Sequence, residues 1–216
     1  MLSALSHVHA RRGALRREID AVAHFEEWEE SCVPSYCHPN LAAAYVSWWR
    51  LYRAVALAHR HCPAGRAALD FGASVGELAR LLPTQIGRYD FIEGHDKAAS
   101  YVLSNVTRAQ RRDLANIATA AYDWIFAIDA LEHNENYAEL LTQLAHGLMP
   151  GGVLILSGPT ENCLYRLGRR IAGFGGHYHM TTIYAIEQAV AATLVRRGVS
   201  VIVPGLPLFR LSAWSR

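Results

Sequence analysis

Lysine is almost missing from this chain. Lys97 is the single lysine among 21 basic residues, set against 19 acidic ones, and the formal charge is only +2. So balanced a charge gives no general basic face for a nucleic-acid backbone. It also leaves an amphipathic helix without the lysines that would hold it on a membrane surface. Long apolar runs are missing too. No stretch approaches the roughly 18 residues that a membrane-spanning helix needs, and the opening MLSALSHVHARR lacks the apolar centre of a secretory signal. Cysteine is sparse. Cys32, Cys37, Cys62 and Cys163 follow no regular framework, so a reduced, cytoplasmic protein without stable membrane insertion is expected. Hydrophobic residues are plentiful, at 51% of 216 residues, which is enough for a sizeable core. Histidine is the other excess, with 11 side chains able to gain charge as pH falls through the imidazole range.

The chain changes texture near residue 65. In the first part, Leu15, Ile19, Val22, Phe25 and Trp28 recur every three or four positions, which is helical periodicity. Pro34 and Pro39 interrupt it, and Asn40 is a natural N-cap for a second helix. That helix carries an apolar stripe of Leu41, Tyr45, Trp48, Tyr52 and Val55 and ends before Pro63. Two helices cannot bury such a stripe alone, so they must pack on the rest of the chain or on a second copy in a homodimer. The second part alternates. Strands are expected at residues 67–71, 89–93, 124–129, 153–157, 199–203 and 208–214, with a short one within 106–112. Helices are expected at 76–82, 97–105, 137–147 and 182–197, with another short one within 162–172. This rhythm predicts a mostly parallel sheet with helices on both faces. The division expected is a helical cap over residues 1–65 and an α/β domain over 66–216.

The turn in LDFGASVGELARLLP is the first chemical signal. Asp70 stands at the carboxyl end of the first strand, where ligands bind in open α/β sheets. Gly72 and Gly76 allow close backbone approach or positive φ, and a helix start behind them would offer free N–H groups. Glu93 ends the next strand, 23 residues after Asp70, where a carboxylate can accept hydrogen bonds from both hydroxyls of a ribose.

With these residues in place, the chain from about residue 60 onward resembles the class I S-adenosylmethionine-dependent methyltransferases of small-molecule type. LDFGASVG is similar to their first motif, FIEGHDKAA to the second, RRDL and YDWIFAIDALEH to the third and fourth, and LTQLAHGLMPGGVLILSGPTEN to the fifth. The resemblance implies a Rossmann-like fold with a seven-stranded sheet. It also implies S-adenosylmethionine as methyl donor, with S-adenosylhomocysteine as its product. By position, Asp70, Gly72, Ser74, Gly76 and Glu93 would hold the cofactor. Asp113 and Leu114 would meet its adenine, and Asp129 would close the pocket floor. Ser74 departs from the pattern, since it stands where the family has the middle glycine of its first motif.

A sulfonium methyl is already activated, so catalysis asks mainly for alignment, with a general base only where the acceptor must lose a proton. Histidines are the candidates. His133 ends the DALEH run, and His177 and His179 alternate in GFGGHYHM, so the last two would face one way on an extended segment. No metal is expected. His59, His61 and Cys62 lack a CxxC or HExxH partner, and the fifth strand ends in Ser157-Gly158-Pro159 without the Asp-Asn pair of a metal-dependent O-methyltransferase. The Asp129-Ala130-Leu131-Glu132 run also lacks the Pro-Pro-aromatic signature of DNA amino-methylating enzymes. Tyr36, His38, Tyr45, Trp48, Trp49 and Tyr52 are expected either to line an acceptor pocket or to serve as core or dimer contacts. The expectation is methyl transfer to an O or N atom of a small organic acceptor, in secondary metabolism, with no nucleic-acid partner. An RNA or protein methyltransferase and a non-catalytic binding module of the same fold stay open as alternatives.

Overall fold

The computed structural model describes residues 2–19, 28, 31–162, 180–203 and 206–216. Among the expected features, Val22 and Phe25 of the first stripe, the short helix over 163–172, and His177 and His179 lie outside the described residues.

The chain opens with α1 (Leu2–Glu18), a short α2 (Val33–Tyr36) and the long α3 (Leu41–His61). Asn40 caps α3 as its sequence suggests, its side-chain oxygen accepting from the Ala42 and Ala43 N–H groups at 2.9 and 3.4 Å. The buried face differs from the expected stripe. Ala44, Ser47, Trp48, Leu51, Ala54 and Ala58 face inward, Tyr45, Tyr52 and Val55 flank them half-buried, and Leu41 is exposed. Small side chains let the helix axis approach the sheet closely, and the larger aromatics spread to either side.

The sheet has seven strands in the order β3-β2-β1-β4-β5-β7-β6. They are β1 (Ala67–Phe71), β2 (Arg88–Ile92), β3 (Ala109–Arg111), β4 (Tyr122–Ile128), β5 (Leu148–Pro159), β6 (Val195–Val203) and β7 (Leu206–Ser215). β1 to β5 pair in parallel, and β7 runs antiparallel between β5 and β6. Near-continuous apolar runs such as YDWIFAI suit strands covered on both faces. On one face lie α1, α3 and α4 (Asp96–Asn105), and on the other α5 (Tyr137–Gly147) and α6 (Ile183–Val190). Two bonds anchor the start of the sheet. The Trp124 indole donates to the Cys62 carbonyl at 2.8 Å, joining the end of α3 to β4, and Asp123 accepts from the Arg66 and Ala67 N–H groups at 2.8 and 2.9 Å.

Two expected helices are shorter in the structure. The segment after Gly76 forms only a 3-10 turn at Ala79–Leu81, because Pro83 leaves six residues after the glycine and cannot continue a helix. The helix expected to reach residue 197 stops at Val190, and β6 begins at Val195. The β-branched run from Val199 to Val203 extends back through Arg196 and Gly198 because β7 offers a pairing edge there.

Candidate active site

β1 pairs with β2 on one side and β4 on the other, so the chain's crossovers leave β1 in opposite directions and open a crevice at its carboxyl end. The expected cofactor residues converge there. The loop from Phe71 to Gly76 leaves β1, Glu93 follows β2, Asp113 and Leu114 follow β3, and Asp129 follows β4.

The loop is built by specific backbone needs. Gly72 has φ +76°, its N–H donates to the Ile92 carbonyl at 2.9 Å, and a Cβ there would come within 2.4 Å of the Ala130 methyl. Ser74 also takes a positive φ, +50°, so the serine follows the left-handed backbone that a glycine would take freely. It is 4% exposed, and its hydroxyl has no hydrogen-bond partner. A buried hydroxyl left unpaired costs about 1–3 kcal/mol. The anion cradle expected at a helix start is not formed here, since only a 3-10 turn follows the loop.

Glu93 makes two backbone contacts that its sequence position did not suggest. Its Oε2 accepts from the Ser74 N–H at 2.7 Å and its Oε1 from the His95 N–H at 2.8 Å, so the carboxylate ties the first loop to the start of α4. Asp70 lies beneath this loop, 3% exposed, and its Oδ2 accepts from the Tyr89 hydroxyl at 2.8 Å. Burial pushes its carboxyl up to about 7, with the Tyr89 bond opposing and Glu93 adding to the rise. Asp113 is exposed on the far rim, its Oδ1 accepting from the Ala115 N–H at 3.1 Å.

The N-terminal helices close the crevice from above. Arg50 of α3 is buried and forms an ion pair with Asp129, while its guanidinium lies 4.4 Å from the centre of the Phe209 ring. Asp129 has φ +50° and accepts from the Ser157 hydroxyl at 3.0 Å. Arg11 of α1 grips Glu77, just past the loop, through bonds of 3.1 and 2.6 Å. Trp28 stands 5.3 Å from His95, centre to centre.

Beyond β4, the 3-10 turn Leu131–His133 sorts two neighbouring side chains. His133, the expected base, is exposed, whereas Glu132 is wholly buried with neither carboxylate oxygen hydrogen-bonded. Sequence reasoning passed over Arg50 and Glu132. A signal existed for Arg50, because it shares a helix face with Ser47, Ala54 and Leu57, all turned inward. Glu132 gave none, since a single acidic residue beside a histidine carries no periodicity.

Comparison with known proteins agrees with this geometry. A family profile described as a methyltransferase domain matches residues 42–193. The chain belongs to that family, and its methyl donor is S-adenosylmethionine. Sequence comparison with curated proteins found no match. Among solved structures, the chain is similar to the N-methyltransferase NodS of Bradyrhizobium japonicum WM9 in complex with S-adenosylhomocysteine. They share 15% identity over 78% of this chain and 86% of that one, with a TM-score of 0.62. Magnesium protoporphyrin IX methyltransferase of Synechocystis PCC 6803 is similar at 15% identity, over 94% and 99% of the two chains, with a TM-score of 0.64. Phosphoethanolamine N-methyltransferase 2 of Haemonchus contortus is similar at 14% identity, over 76% and 52%, with a TM-score of 0.57. These likenesses support the fold: a Rossmann-like methyltransferase sheet with N-terminal helices.

Proposed function

We propose that the protein transfers the methyl group of S-adenosylmethionine to an O or N atom of a small organic acceptor in the cytoplasm. The observation that carries this reading is the buried Ser74 hydroxyl, unpaired in a loop that converges with Glu93, Asp113 and Asp129 on one crevice. An orphaned donor at that point suits a polar cofactor and is a cost without one. In this assignment Gly72, Ser74 and Gly76 shape the loop around the methionine end of the cofactor, with Asp129 on the floor. Glu93 accepts from the ribose hydroxyls, and Asp113 and Leu114 meet the adenine. Asp70 is a positioning residue beneath them. The bound sulfonium supplies an activated methyl, so the chain's own task is to align the acceptor and manage its proton.

A small acceptor is supported by the way α3 reaches into the crevice. Arg50 and Phe209 occupy space that a polymer groove would need open. Residues 1–65 then serve as the helical cap that selects the acceptor, over a cofactor domain of residues 66–216. His133 at the rim, with His177 and His179, completes the acceptor side. No helix among the described residues is long and apolar enough to cross a membrane.

Calorimetry tests the reading directly. S-adenosylhomocysteine should bind at micromolar strength, and Glu93→Ala should weaken binding at least tenfold, about 1.4 kcal/mol. Unchanged affinity in the variant would remove Glu93 from the ribose site, and no binding by the wild type would remove the cofactor site itself.

A further inference from the structure

Glu132 is the strangest side chain in the fold. It follows β4 at the carboxyl edge of the sheet, is 0% exposed, and has both carboxylate oxygens without a hydrogen-bond partner. Its main chain is settled, its carbonyl accepting from the Met180 N–H at 2.8 Å. The side chain is not. A buried carboxylate with no side-chain hydrogen-bond partner is disfavoured, so the position suits a donor that arrives from elsewhere.

The surroundings say which group. Arg50 from α3, Glu161 beyond β5 and Cys32 before α2 all lie within electrostatic reach of Glu132. These elements roof and edge the crevice, and Glu132 lies within their field at the carboxyl edge of the sheet. Arg50 is the cation among these neighbours, and it is already committed to Asp129. The charges do not balance. Among the described residues, Asp129 and Glu132 face one guanidinium. An incoming carboxylate would meet repulsion here. A hydroxyl would bring one donor and no charge, whereas an ammonium brings up to three donors and the missing positive charge.

The geometry points to Glu132 as the residue that receives the acceptor's nitrogen, and so to an amine as the acceptor class. This rests on the methyl-transfer reading of the site and narrows it from O or N to N. The Glu132 carboxylate accepts hydrogen bonds from the ammonium and takes one of its protons, which frees the nitrogen lone pair. That pair forms the new N–C bond as the C–S bond breaks, with the C–S electrons left on sulfur. The methylated amine departs with the positive charge. Burial holds the Glu132 carboxyl up at about 7, partly offset by its own backbone N–H and by Arg50 and reinforced by Glu161, which suits a group that takes a proton near neutral pH.

The test is calorimetry on protein saturated with S-adenosylhomocysteine, titrated with benzylamine and ethanolamine against benzyl alcohol and ethylene glycol. Wild type should bind at least one amine tenfold more tightly than its alcohol. Glu132→Gln should lose that preference to within twofold, with S-adenosylhomocysteine affinity unchanged, and Glu132→Asp should recover part of it. Amine affinity in the wild type should fall as pH drops below about 7, where the carboxyl protonates, and this dependence should vanish in Glu132→Gln. Cys32 is held neutral by its own burial, so it does not supply this titration. A wild type without amine preference, or a variant that keeps it, would overturn the assignment. Loss of S-adenosylhomocysteine binding by the wild type would instead sink the cofactor reading beneath it. If Glu132→Gln does not fold, the Glu132→Asp profile and the wild-type pH profile decide.

Discussion

Ser74 holds a left-handed backbone at φ +50° with its hydroxyl buried and unpaired. Both features cost stability, the backbone about 1–2 kcal/mol and the hydroxyl a comparable amount. Ser74→Gly removes both and adds back about 0.5–1 kcal/mol of chain entropy. The net gain of about 1–3.5 kcal/mol should raise the melting temperature by about 2–14 °C in thermal denaturation. It should also bind S-adenosylhomocysteine more weakly, because the hydroxyl kept in reserve for the ligand is gone. A variant that is more stable and binds as tightly would show that the serine serves only the backbone. The same scale explains why His133 was legible and Glu132 was not. Histidine is the residue whose ordinary titration falls near neutral pH. It is burial, which only the folded chain confers, that brings Glu132 to about 7 while His133 stays exposed.

The elements show where local sequence was sufficient. α3 begins at its Asn40 cap, α5 occupies residues 137–147, and β1 spans residues 67–71, as periodicity and punctuation indicate. The failures differ in cause. The helix expected after Gly76 is cut short by Pro83, and the helix after Thr182 yields to a strand because β7 presents an edge for pairing. The first limit is local, set by a residue that cannot continue a helix, and only the second comes from tertiary pairing, against which helix propensity is a weak prior. One tether between elements can be weighed. Arg11 of α1 meets Glu77, whose side chain is fully buried, and Arg80 stands farther off at 3.4 Å. Arg11→Ala should cost about 3 kcal/mol by urea unfolding, because it strands a buried carboxylate. Arg11→Ala combined with Glu77→Gln should regain much of that loss. A single variant within 0.5 kcal/mol of wild type would mean that Arg80 alone satisfies Glu77.

Across the whole molecule, the cap and the sheet share a core. Leu15, Trp48 and Leu51 from the N-terminal helices lie in the same apolar cluster as Phe91, Trp124 and Ile155 from the sheet. Trp48 is 0% exposed within its own chain. Thermal unfolding should therefore be a single transition, coincident by tryptophan fluorescence and far-ultraviolet circular dichroism. Two separated transitions would mean that the helices fold independently of the α/β domain. The shared core also gives the cap its leverage on the site. Through α3, the packing that buries Trp48 places Arg50 against Asp129 at the carboxyl end of β4.

The sequence by itself determined the architecture and the family. Alternating apolar runs, glycine turns and carboxylates at strand ends are local in the chain, and a parallel sheet turns each of them into a fixed place in space. Asp70, Glu93, Asp113 and Asp129 could be assigned to one edge because parallel strands all end there. What the tertiary structure alone decided is which charges are buried and whether they are matched. Arg50 and Asp129 are 79 residues apart, and Glu132 gains its character only when the folded chain buries it. Desolvation is a property of the packed surroundings and not of the residue, so no spacing in the sequence carries it.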